Sequence, residues 1–485
     1  MRTRGCKAGT ARTLLHFGNM AMNILRIAGG ATLAALLCAG TARADLPADG
    51  QPYSGWGIFG GGKNFIAFDL GGALADTAAG SVVGPDGSLY VAGTVQDSGT
   101  TRIGVAKFNA EGHVDLTFHF DGRNHSLETD VIATGVALTP SGHLLVSGIK
   151  KVSNTDYDMI VCRFHSDSGA NINFPAPVND SCVRPQWLPG TWDQSVGVVV
   201  HPDGKFVVGG TIDMANDGYA AFAQFLANGQ PDTSYGNIQG SNVALVRSQN
   251  IFERHTLRAI TRTSNGKVVG VGTTRIVGSN SDTGLMIRML ADGTPENLFS
   301  QVEFTFGLDD IPETAVDLMS VVTAKNPAAA DDDIYVSGYA TIGGTPQGLV
   351  AKIIHQGWSL ATADFGIHPG FTLFPLDTGL RFQSIAYQPG VGLLLGSTRP
   401  HNNNLDMAVQ RVNLYGLPDP LFGNGGGYFV DFSLPGKIDI LAQVSVHGDG
   451  IYVVGHSLNA NSDYNFTVAK HGLDRIFADG VEGFD

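Results

Sequence analysis

HPDGKFVVGGT (His201–Thr211), followed by AFAQFLANG (Ala221–Gly229), holds two short β-type runs, a turn before each and a closing glycine. Asp203-Gly204 supplies the reversal, because glycine accepts the positive φ that a tight hairpin turn requires. The apolar run after it ends in glycine, and the second run carries apolar residues around Gln224. The stretch is a β-hairpin, and the same hairpin recurs along the chain.

Two columns of residues establish the recurrence. The first is an apolar run ending in glycine: LYVAG (Leu89–Gly93), LLVSG (Leu144–Gly148), FVVGG (Phe206–Gly210), VVGVG (Val268–Gly272), IYVSG (Ile334–Gly338), GLLLG (Gly392–Gly396) and IYVVG (Ile451–Gly455). The second lies 14 to 16 residues on, and its third position is Lys107, Arg163, Gln224, Arg288, Lys352, Arg411 and Lys470. A looser D-x-x-F-G pattern marks the junctions, as in Asp232–Gly236 and Asp419–Gly423, and a further strand such as FIAFDL (Phe65–Leu70) follows. No stretch sustains a helical period.

Four strands in about 60 residues, repeated seven times, predict an all-β chain folded as a seven-bladed β-propeller of four-stranded antiparallel blades. A single four-stranded sheet cannot bury both faces, whereas sheets arrayed around an axis cover one another. The junction, the Asp-Gly hairpin and the VA[KR]F strand resemble the delta-60 repeat family of bacterial β-propeller proteins. The resemblance runs from about Gly57 to Asp474 and is strongest in units one and three. It implies a fold and carries no chemistry that can be transferred residue by residue.

The organisation expected is a signal peptide at 1–44, a lead segment at 45–56, the propeller at 57–474 and a C-terminal tail at 475–485. Arg26 precedes an apolar run, Ile27–Gly40, and Ala42-Arg43-Ala44 places cleavage after Ala44, with Met20 or Met22 a better initiator than Met1. That run is shorter than the roughly 20 residues that span a bilayer, and no other run would span one. The tail begins with Ile476–Gly480, which is similar to a short tail of some exported bacterial proteins.

The formal charge is −14, and the first 44 residues hold six of the 30 basic residues and none of the 44 acids, so the remainder stands near −20. Such a surface repels a polyphosphate, and with no run of Lys or Arg nucleic acid is excluded as a partner. Cys162 and Cys182 remain after the signal is removed. In an exported chain they make a disulfide, the alternative being two buried thiols.

Chemistry-bearing motifs are sparse. Gly55–Gly60 matches G-x-G-x-x-G in letters but lacks the strand–helix context of a dinucleotide site. Neither G-x-S-x-G nor H-E-x-x-H occurs. Candidate binding residues are Trp187 and Trp192, which flank the degenerate junction between units two and three near the insertion Asn179–Pro189, and the group His119, Asp121 and His125. For Ca²⁺ the candidates are Asp331, Asp332 and Asp333, with Asp309-Asp310 and Asn459–Asp463, none in the spacing of a dedicated calcium loop. The basic column reads as part of the blade-building rule and the glycine column as a place with no room for Cβ. Together these point to an exported, monomeric binding or scaffold protein, without a catalytic residue, that recognises a protein or glycan through inter-blade loops. The alternative is an extracytoplasmic lyase or hydrolase with its site at the axial mouth.

Overall fold

The structure, a computed structural model, describes residues 49–59, 61–71, 75–185, 190–214, 217–247, 253–276, 282–296, 303–306, 315–354, 359–361, 364–375, 379–432, 438–459 and 463–473. The signal segment with its cleavage site, Trp187, Asp309-Asp310 and the tail lie outside these residues. Among the described residues no helix is long and apolar enough to cross a membrane.

The chain is an all-β propeller. Its described strands fall into six hydrogen-bonded sheets: four of four strands, one of five and one of eight. This corrects the expectation of seven four-stranded antiparallel blades. Five blades stand alone, and the hairpins of units two and three share the eight-stranded sheet. The physical cause is a parallel bridge between Trp192, at the head of Trp192–Val200, and Tyr157, at the head of Tyr157–His165. Parallel bridges of the same kind join Ala75 to Tyr464 and Leu405 to Ile438, but Ala75 and Ile438 stand just outside their strands, so those sheets remain separate.

Within each unit the first strand lines the axis and the next two pack outward. Second strands such as Leu89–Asp97 and Phe206–Met214 are buried along nearly their whole length. They therefore read as continuous apolar runs, as strands covered on both faces do. The core is a series of layers between neighbours: Tyr90, Ala92 and Val105 of unit one pack with Leu144, Val146 and Ile160 of unit two. Val208 and Ala223 of unit three share a layer with Val161 of unit two.

The glycine column has a single geometric origin. The first strands carry a β-bulge between Ala78/Gly80, Ala133/Gly135, Ser195/Gly197, Leu257/Ala259, Leu318/Ser320 and Leu441/Gln443. The residue before each bulge pairs with a column glycine, as Ser195 does with Gly210 and Leu257 with Gly272. A Cβ on Gly210 would lie 1.9 Å from the Gln194 carbonyl oxygen, and one on Gly272 would lie 1.9 Å from that of Thr256. Close approach requires these glycines. Hydroxyls of one unit then hold the bulge of the next. Thr94, Thr211 and Thr398 accept the backbone N–H of Ala133, Leu257 and Leu441 at 2.9, 2.9 and 3.0 Å.

At the opposite end the D-x-x-F-G junction neutralises the basic column. Lys107 pairs with Asp115 at 3.0 Å, Gln224 donates to Asp232 at 2.9 Å and Arg411 pairs with Asp419 at 2.7 Å, each eight residues on. The junction aromatic packs against the closing glycine of the following unit. The ring of Phe174 lies where a Cβ on Gly229 (φ 82°) would fall, and the ring of Tyr235 does the same at Gly293 (φ 77°). Phe174 fills this role although no D-x-x-F-G announces it.

Two covalent or topological ties complete the ring. Lys63–Ile66 pairs antiparallel with Phe466–Ala469, so an early strand closes the last blade. Cys162 and Cys182 form a disulfide, joining directly paired residues of Tyr157–His165 and the short strand Cys182–Val183.

Gly272→Ala is expected to lose about 3 kcal/mol in denaturant unfolding through overpacking against a fixed carbonyl. Gly55→Ala, whose added Cβ meets nothing within 4 Å, is expected to stay within about 0.5 kcal/mol of wild type. Equal losses at both sites would contradict the close-approach account. Opening the loop of 20 residues with Cys162→Ser plus Cys182→Ser is expected to cost about 3 kcal/mol by the same measurement.

Candidate functional site

The bulged first strands surround an axial cavity of about 480 Å³. Its narrow level is built from small residues. Gly80, Gly135 and Gly197 line it, and a Cβ on Gly135 would lie 3.2 Å from Gly197 Cα. Neutral polar groups cross it: Gln443 Oε1 accepts from the Ser81 N–H at 2.5 Å, and the Thr134 hydroxyl donates to Ser195 Oγ at 3.1 Å. Arg258 is the one charged residue in the described lining.

Because every first strand starts from the same end, its opening residues gather at one mouth. In unit five Asp317, just ahead of the bulge, is nearly buried. It accepts from Arg258 Nε at 3.4 Å and Nη2 at 3.2 Å, and from the Tyr339 hydroxyl at 3.3 Å. Burial, and then the Asp317 charge, push the Tyr339 hydroxyl above its usual range. The Arg381 guanidinium sits 4.7 Å from the centre of the Tyr339 ring. In unit three Trp192 is 41 % exposed and stacks on Tyr157 with centroids 4.2 Å apart and planes at 25°. Asp213, paired with Trp192 in register, takes a hydrogen bond from Arg254 of the next unit at 2.7 Å.

One step behind this rim lies a position filled by Asp76, Asp193, His255 or Asp439, all buried. Asp76 and Asp439 each accept a backbone N–H, from Phe68 and Phe432, at 2.9 Å. Burial raises both carboxyls to about 6 against these bonds. Asp193 is fully buried, and neither oxygen has a well-formed hydrogen bond among the described residues. Burial pushes it to about 7, with Thr191 lowering it and the charges of Asp158 and Asp156 adding to the rise.

The sequence candidates disperse. Asp331 pairs with Lys267 at 2.9 Å and Arg288 at 3.6 Å, Asp332 takes the Ser264 N–H at 2.6 Å, and Asp333 pairs with Lys352 at 2.8 Å. Their charges are consumed inside the scaffold. Asp121 pairs with Arg123 at 3.1 Å, His125 Nδ1 faces the Ser126 carbonyl at 3.0 Å, and the His119 ring stands beside Phe120. These three form no metal-type cluster among the described residues. The set that does, within 4.8 Å, is Asp406, Asp431 and Asp439. His401 Nδ1 lies 2.6 Å from Asp406 Oδ2 and stacks on Phe429 with centroids 4.0 Å apart. Three strand ends converge there, so no local motif could have revealed the group. The basic column holds no cations toward the axis: Arg288 and Arg411 are buried in ion pairs.

The architecture defines the class as a β-propeller. A family model described as "Domain of unknown function (DUF5122) beta-propeller" matches residues 84–118 and 201–235, the hairpins and junctions of units one and three. No curated protein matches the sequence. Among solved structures, polysaccharide lyase Uly1 is similar over 88% of this chain and 98% of its own, with TM-score 0.50 and 11% identity. Sqt1 of Chaetomium thermophilum is similar over 86% and 99%, with TM-score 0.41 and 13% identity. A glucose dehydrogenase follows over 70% and 96%, at 0.37 and 12%. The likeness to Uly1 is one of fold.

The buried Asp193 fixes a pH-dependent effect. A carboxyl raised in the folded state penalises folding once it ionises, so its cost grows from about pH 4 and is complete above pH 7. Asp193→Asn is therefore expected to be more stable than wild type by about 2–4 kcal/mol at pH 8 and equal to it near pH 4. Parallel melting curves across that range check this, and a constant difference would refute it.

Proposed function

We propose that this chain is an exported, non-catalytic binding propeller of delta-60-type repeats that takes a glycan at the axial mouth. The observation that carries the reading is the exposed Trp192 face, backed by Tyr157, on a strand whose Val196–Val198 line a cavity of small apolar and neutral polar residues with one arginine. A rigid aromatic platform stacks on the apolar face of a sugar ring at small entropic cost, while nearby hydroxyls and amides satisfy its edges. The platform lies at the junction that departs most from the repeat, and recognition in repeat folds concentrates in such departures. The disulfide and the signal-like N-terminal segment support export.

A catalytic reading draws on one observation, the His401–Asp406 pair with its flanking carboxylates. A buried carboxylate that orients an imidazole is the arrangement of a general base. The two readings separate in one experiment. Screening mature protein against polysaccharides by calorimetry and by product release is expected to give binding without turnover, and Trp192→Ala is expected to weaken binding roughly tenfold or more. Turnover lost on His401→Ala would replace the binding reading with the enzymatic one.

A further inference from the structure

We infer that the mouth carries an anion subsite in which Arg381, seconded by Arg258, receives a carboxylate of an acidic saccharide. The inference rests on the glycan reading above and specifies its chemical class.

Arg381 differs from the cations of the scaffold. The chain carries 44 acidic residues against 30 basic ones, and the scaffold cations are matched: Lys107, Arg288, Arg411 and Lys470 each have a carboxylate. Arg381 is exposed, and among the described residues it has no carboxylate partner. Its contact is the face of Tyr339. Stacking fixes the plane of a guanidinium and leaves its edge N–H donors free, which prepares it for a two-oxygen acceptor.

A chain of contacts leads from that edge to the cavity. Arg381 precedes by two residues Gln383, which lines the cavity, and Tyr339 reaches Arg258 through Asp317. Arg258 also lines the cavity. At 3.2 and 3.4 Å its bonds to Asp317 are long for a charge-assisted pair. Asp317 thus orients Arg258 and Tyr339 without fully satisfying the guanidinium. Two arginines around one carboxylate leave a single positive charge at the rim, on a protein whose remaining surface repels anions. An acidic saccharide that reaches the mouth meets this charge beside the cavity.

A galacturonic acid oligomer and its methyl ester share ring shape and differ in charge. Calorimetry on the full chain is expected to show the acid bound at least tenfold more tightly than the ester at low salt, with the advantage shrinking in 0.5 M NaCl. Arg381→Gln is expected to abolish the advantage, leave ester binding within twofold and keep the melting temperature, because the side chain is exposed. Arg381→Lys is expected to restore part of it. Sodium sulfate added as competitor is expected to weaken the acid and spare the ester. Equal affinity for acid and ester, or equal loss of both in Arg381→Gln, overturns this inference and leaves the glycan reading standing. Failure of both oligomers to bind overturns the two together.

Discussion

A backbone carbonyl of the innermost strand occupies the place where the neighbouring strand would otherwise carry a Cβ. Where this contact forms, it sets the bulge, and the bulge sets the twist that turns a flat hairpin into a wedge around an axis. The consequences run inward and outward. Inward, the kinked strands present small residues such as Gly135 and Gly197 to one another, leaving a narrow cavity bordered by amides and hydroxyls. Outward, the threonine after several of the glycines is free to hold the next bulge, so geometry passes from unit to unit. What stands at the mouth is then decided by the few residues ahead of each bulge.

The repeated glycines and the apolar runs made the architecture legible, because a close approach demands glycine whatever the rest of the sequence does. Strand content and the hairpin unit could be read that way, and the Cys162–Cys182 bridge from an even pair of cysteines in an exported chain. The partition into separate blades could not. It hinges on one parallel bridge between Trp192 and Tyr157, and a tertiary approach of two strand heads leaves no periodic signal. Of the candidate residues, the break in the repeat pointed to Trp192, which the structure leaves exposed and stacked on Tyr157. Asp331–Asp333 looks like a cation loop in one dimension, yet in three its charges answer Lys267, Arg288 and Lys352. The Asp406, Asp431 and Asp439 group was invisible for the converse reason, since a junction and two separate strands supply its members.

Electrostatically the two ends of the molecule follow different rules. At the D-x-x-F-G end, several charges are met by a partner eight residues away, a local rule that leaves little to spare. At the mouth, partners come from different units, and among the described residues the matching is incomplete: Asp193 is buried without a counter-charge, while Arg381 is exposed without one. A buried, unpaired carboxyl such as Asp193 carries a cost in the isolated fold, and such costs gather at functional sites.

The strand Lys63–Ile66 is among the first of the propeller to be synthesised and among the last to find its place, because its partner is Phe466–Ala469. Across that interval its edge stays open, and the contact it awaits has a sequence separation close to the length of the whole ring. Closure therefore reports completeness. A chain cut short before its last hairpin retains an unpaired strand at one end and an uncovered sheet at the other, the kind of exposed edge that invites misassembly. A finished chain hides both in a single step.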